Sequence, residues 1–268
     1  MKRTDNPLFV FGILAAFVLP GMLAPPAFAF DWQEIKGDHF IVYYGGDQVF
    51  ARDALRKAEV YYNRIADDLG YARHSNFWQW ENRARIMIYP TEKQFQEASG
   101  EPAWSKGTAD YSQKQILTFA WSGDFLESLL PHEIAHLVFR DFVGFKGEVP
   151  LWLDEGVAQY EEPKKRALAR RYGSLLLQKQ KMLPFVDMGS VHLSEWQEEE
   201  TVQFFYMQSL SVVEFLLKRH GAISFAGFCR ELRDGKSLDE ALLVSYPGRI
   251  GGLEDLQSQW IKYVMEET

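Results

Sequence analysis

The chain has 268 residues, 47% of them hydrophobic and 15% aromatic, with a formal net charge of −8. That acidic balance argues against nucleic acid as a partner, because phosphate binding needs clustered Lys and Arg. The length suits one sizeable core, and a lone cysteine, Cys229, excludes an internal disulfide.

Residues 1–29 read as a secretory signal peptide. Lys2 and Arg3 form the basic start, 8–19 the apolar run, Pro20-Gly21 a helix break, and Ala27-Phe28-Ala29 the small residues before a cut. The apolar run is shorter than the ~20 residues of a comfortable membrane span. Cleavage would leave a mature chain starting at Phe30, periplasmic or extracellular and without a stable membrane span. An uncleaved leader would instead anchor it.

His39-Phe40-Ile41-Val42-Tyr43-Tyr44 is a β-rich run closed by Gly45-Gly46, the first expected strand. Asp47 caps the following helix, whose apolar positions Phe50, Leu55, Ala58, Tyr62, Ile65 and Leu69 recur at helical spacing before Gly70. A second strand spans 84–89, closed by Pro90, and Thr91 caps a short helix reaching Ala98. Two short β-prone stretches in 108–119 flank a turn near Ser112-Gln113-Lys114.

A longer helix is expected over 124–142, with Leu126, Leu129, Leu130, Ile134, Leu137 and Val138 on its buried side. It carries Pro131-His132-Glu133-Ile134-Ala135-His136. Histidines four apart share one helical face, so both imidazoles can reach one zinc ion at about 2.0–2.1 Å. Glu133 follows the first histidine, where a helix holds its carboxylate beside a metal-bound water rather than on the metal. Pro150 then leads into a helical segment bearing Glu155, with eighteen residues between it and His136. Two His and one Glu leave a zinc position open for water, the catalytic rather than the structural arrangement. Asp154, beside Glu155, reads as a surface or capping group.

These two motifs, His132-Glu133-x-x-His136 and Glu155 within Trp152-Leu153-Asp154-Glu155-Gly156-x-Ala158-x-Tyr160, resemble the gluzincin zinc metallopeptidases. Within that group the chain is most similar to peptidase MA-like domains, relatives of thermolysin and the zinc aminopeptidases. The resemblance implies a zincin-like fold, Zn2+ as cofactor, His132, His136 and Glu155 as metal ligands, and Glu133 as general base and later acid. It also implies a Tyr or His from a later helix that stabilises the oxyanion. Tyr206, in Phe204-Phe205-Tyr206-Met207-Gln208, matches that position, with His192 a weaker candidate. In the relatives the strand just before the metal helix walls the cleft, where an extended substrate can add to it; here Gln115-Ile116-Leu117-Thr118-Phe119 occupies that place by position, with an ordinary internal strand as the equal alternative. One departure stands out. Thermolysin has an Asp four residues past its glutamate ligand to orient a histidine, and here that residue is Gln159, so support for the histidines is weaker or comes from elsewhere. No acidic amine-binding motif before His132 matches the aminopeptidases.

Beyond Pro163 a basic amphipathic helix is expected to about 181, its Lys164, Lys165, Arg166, Arg170 and Arg171 reading as a solvated face. Residues 183–196 look irregular. Helices follow over 203–220, stopped by Gly221, then over 222–232, 237–244 and 253–265, with Cys229 a small buried residue. The expected fold is α+β: a small N-terminal mixed sheet of three or four strands with helices, then a helical C-terminal lobe. No repeat or linker divides it, so 30–268 is expected to be a single peptidase MA-like domain, sheet-containing over 30–123 and helical over 124–268. The expected activity is that of an exported zinc metallopeptidase acting on peptide or protein substrates. The alternative is a non-catalytic zinc-binding envelope domain serving as a binding or assembly factor. Glu133 favours the enzyme, because a purely structural site has no use for it.

Overall fold

A computed structural model describes residues 31–70, 78–101, 105–120, 125–144, 149–191 and 199–266. The leader and His192 lie outside the described residues. Among those described, no helix is long and apolar enough to cross a membrane.

Five strands form one mixed sheet: β1 (Gln33–Lys36), β2 (Phe40–Tyr44), β3 (Ala84–Tyr89), β4 (Gly107–Asp110) and β5 (Gln115–Phe119), in the order β1-β2-β3-β5-β4. The three central strands β2, β3 and β5 run parallel, and the outer β1 and β4 are antiparallel to their neighbours. The count exceeds the expected three or four because β1 carries no apolar alternation; three of its four residues are exposed. The sheet corrects a second expectation. β5 is an internal strand, bonded to β3 on one side and β4 on the other, so the edge strands are β1 and β4.

The parallel pair β2–β3 is joined by helix α1 (Gln48–Asp68), whose Asp47 side chain accepts from the amides of Val49 and Phe50 as an N-cap. α1 buries Ala51, Ala54, Ala58, Tyr61, Tyr62 and Ile65. On the same side the strands contribute Phe40, Val42, Ile86 and Ile116 to the main core. The opposite face is covered by α2 (Glu92–Ser99), capped by Thr91, where Phe95 packs with Tyr89 and Phe119.

The helical half begins with a π-type turn at Phe125–Leu129 that runs into α3 (Leu130–Val143). Pro131 sits in the first turn of α3, where a missing N–H costs nothing. Next come α4 (Leu151–Tyr160), α5 (Pro163–Arg166), α6 (Ala169–Gln178) and α7 (Phe185–Met188). The expected single basic helix is thus two. Of its basic residues Lys164 and Arg171 are exposed, but the other three are not a solvated face, since Lys165 bonds Glu162, Arg166 pairs with Asp68, and Arg170 bonds the Tyr263 carbonyl. The short α7 lies in the stretch expected to be irregular.

α8 (Glu199–Phe215) continues as a π-type segment to His220, and Gly221, at φ +86°, stops it. α9 (Ala222–Arg233), α10 (Leu238–Ser245) and α11 (Leu253–Met265) complete the lobe, with Cys229 fully buried on α9. The most extensive packing between helices is that of α4 against α8. A methyl on Gly156 would stand 2.6 Å from the Ser209 carbonyl oxygen and 2.7 Å from Val213 Cγ2. Only glycine lets these two helices approach so closely.

Candidate metal centre and active site

Three side chains converge where α3 packs on α4. α3 supplies His132 and His136 one turn apart, and α4 supplies Glu155. All three are buried, at 2%, 0% and 1% exposure. The two Nε2 atoms face each other at 3.1 Å. Glu155 lies 3.8 Å from His132 Nε2 and 4.0 Å from His136 Nε2. One ligand atom from each residue falls within 4.8 Å of the others.

Two nitrogens turned toward one another and a carboxylate with an oxygen that meets no donor make a poor resting arrangement for a core. Those same features suit a cation. The donor set of two imidazoles and one carboxylate fits a divalent metal ion of the zinc type.

The far side of each ring is also built. His132 Nδ1 lies 2.9 Å from Glu162 Oε1, and the same carboxylate accepts from Lys165 Nζ at 2.7 Å and from the Ser128 hydroxyl. His136 Nδ1 lies 3.0 Å from Asp154 Oδ1, within pairing distance though off the line of a straight hydrogen bond. Asp154 Oδ2 accepts from Arg140 Nη2 at 2.6 Å and Nε at 3.2 Å. A carboxylate at each Nδ1 favours the tautomer protonated there, which would present both Nε2 lone pairs to a metal ion at the centre.

Asp154 is therefore no surface group, being 2% exposed. Gln159 is buried as well, but Glu162 and Asp154 are the residues that sit on the imidazoles. Glu162 escapes sequence reasoning because it lies beyond the end of α4, seven residues past Glu155. Its one signal is the basic residue three positions on.

Charge follows from these contacts. Burial opposes ionisation of Asp154, but His136 and Arg140 outweigh it and hold the carboxyl at about 2. Burial likewise opposes Glu162, and Lys165 with His132 brings it to about 2. Burial pushes Glu133 up to about 7, and the carboxylates of Glu101, Glu162 and Asp154 add to this against the pull of His136. Burial also raises Glu155 to about 7. His132 is lowered to about 4 by burial, while the acidic neighbours of His136 overcome burial and raise it to about 9.

Glu133 lies on α3 between the histidines, 3% exposed, with no place in the ligand triangle. Tyr206, on α8, is 6% exposed, and its hydroxyl is buried without a hydrogen-bond partner. Burial and the nearby Glu155 push that phenol far above its ordinary value, so it remains a donor. The close contact at Gly156 is what brings the Glu155 helix and the Tyr206 helix together.

The described architecture and this buried group define an α+β domain with a His-His-Glu set able to hold a metal. The sequence matches the family described as the peptidase MA superfamily over residues 74–264. The chain belongs to that superfamily. Comparison with curated proteins gives no match.

Proposed function

We propose that the protein is an exported zinc metallopeptidase of gluzincin type with a zincin-like fold, hydrolysing peptide bonds in peptide or protein substrates. In this reading residues 1–29 are the leader and 30–268 one catalytic domain. His132, His136 and Glu155 would hold the zinc ion, Glu133 would be the general base, and Tyr206 a hydrogen-bond donor to the oxyanion. A bound zinc ion supplies a water of pKa near 7 and polarises the carbonyl.

The chain's own residues supply the proton handling. Glu133, buried on the helix of the two histidines and outside the ligand triangle, can accept a proton from an attacking water and return it to the departing amine. Tyr206 keeps its proton and can donate to the oxygen that gains charge. Asp154 and Glu162 fix the two imidazoles without joining the reaction.

The observation that carries the reading is Glu133: a buried carboxyl on the same helix as both histidines, beside the metal-type triangle and outside it. A purely structural site has no task for such a group. The test is Glu133→Gln in zinc-loaded protein, with elemental analysis beside turnover of a broad peptide library. Retained zinc and fold with hydrolysis reduced by about 10³-fold or more are expected. Full turnover in Glu133→Gln, or a wild type that takes up no stoichiometric zinc, would overturn the reading.

A further inference from the structure

A second phenol reaches the site, from the sheet rather than from the helices. Tyr111 follows the edge strand β4 at the tip of the β4–β5 hairpin. Its backbone is fixed by an Asp110 turn, in which the carboxylate accepts from the amides of Ser112 at 2.9 Å and Gln113 at 3.2 Å. The hairpin is then clamped to α3 twice. Lys114 pairs with Asp141 at 2.6 Å, and the Arg140 guanidinium stacks 4.1 Å from the centre of the Tyr111 ring.

That stack places the ring edge-on to His136, with centroids 6.0 Å apart. The side chains whose charges act on its hydroxyl are Glu133 and Glu155 of the centre, with Asp154 and Arg140 that stand behind His136. Tyr111 also lines an open cleft of about 290 Å³ with Leu137, Arg140, Asp141 and Val149. Its hydroxyl makes no hydrogen bond among the described residues. Tyr206 differs here, because its hydroxyl is sealed from solvent. So one phenol near the ligands is enclosed, and the other belongs to a ring that lines a cleft beside them.

We propose that Tyr111 is a further catalytic residue, its hydroxyl donating to the oxygen of the scissile carbonyl from the hairpin side. This rests on the peptidase reading above. A donor that meets the developing charge lowers the barrier most when it is held in place beforehand, and the Arg140 stack with the Asp110 turn does that holding.

Tyr111→Phe is the informative variant, since it keeps the ring that Arg140 covers and removes one oxygen. The full zinc-loaded chain would be used, with kcat and KM for a cleaved peptide, zinc content and melting temperature. Binding of a phosphonamidate peptide, a tetrahedral anion, would be measured by calorimetry. The expected result is a kcat lower by about 10²-fold with KM within about two-fold, and phosphonamidate affinity weaker by a similar factor. Zinc content and melting temperature should match wild type. Binding of the intact peptide should be equal in Glu133→Gln and in Glu133→Gln/Tyr111→Phe. A Tyr111→Phe protein with wild-type kcat and phosphonamidate affinity overturns the proposal alone. So does one whose deficit is explained by lost zinc or a lowered melting temperature. A zinc-loaded wild type that neither cleaves peptides nor binds the phosphonamidate overturns the peptidase reading, and the role of Tyr111 falls with it.

Discussion

Asp154 Oδ1 stands 3.0 Å from His136 Nδ1, behind the ring whose other nitrogen faces His132. Arg140 grips the same carboxylate from α3, one turn beyond His136. Removing the charge at Asp154 should loosen the imidazole more than it loosens the helix. Asp154→Asn is expected to keep its fold and bind zinc about 10–100-fold more weakly. Competition with a chromogenic chelator measures this, and wild-type affinity in the variant would remove Asp154 from the role.

The partner contact predicts a contrast between two neighbours. Glu162→Gln takes the charge from the carboxylate that holds His132, Lys165 and Ser128, so zinc affinity should drop by about 10–100-fold. Gln159 touches neither imidazole, and Gln159→Ala should bind zinc as wild type does. Equal losses in the two variants would mean that general packing of the α4 terminus governs affinity.

Gly156→Ala tests the approach of α4 to α8. The new methyl would meet backbone at Ser209, which cannot swing aside like the end of a side chain. The two helices must part, at a cost of about 1–3 kcal/mol. Because Glu155 and Tyr206 ride on those helices, turnover should fall with stability. Urea unfolding checks the first part, and a variant as stable as wild type would show that α4 has room to move.

Glu161 sets a pH dependence. It is fully buried, with one carboxylate oxygen that meets no donor, and burial raises it from an ordinary 4.5 to about 7 despite Arg64. The folded state therefore binds this proton more tightly than the unfolded chain. Its contribution to stability is complete below pH about 4.5 and is lost as pH rises through about 7. Glu161→Gln removes the titration and keeps an acceptor for Arg64. The stability of the variant relative to wild type should thus rise between pH 5 and 8, by on the order of 1–3 kcal/mol. Urea unfolding across that range tests the sign, and a constant difference would show that Glu161 stays ionised in the fold.

How much of this is legible from sequence depends on what marks each element. β3 is read to the residue because Pro90 ends it and β-prone side chains fill it, and Asp47, Thr91 and Ser237 mark the starts of three helices. β1 escapes because Gln33, Glu34 and Lys36 are exposed and the strand is held by its pairing with β2. The two motif segments bring His132, His136 and Glu155 together as their spacing implies. Asp154 defeats the reading for a physical reason. α4 is buried on every side from Trp152 to Tyr160, so it has no solvent face to which a second carboxylate could be assigned. Tyr111 is equally hidden from pattern, since a hairpin tip is ordinarily solvent-facing and the contacts with Arg140 and His136 come from a distant helix.

The sole thiol of the chain, Cys229, lies within α9 at 0% exposure, and burial lifts it far from the thiolate form. In an oxidising compartment an accessible lone cysteine would couple two copies through a mixed disulfide. Here that reaction is closed to any molecule whose C-terminal helices are assembled, and open to one whose helices are not. Assembly of the C-terminal helices is thus what takes this thiol out of reach of disulfide exchange.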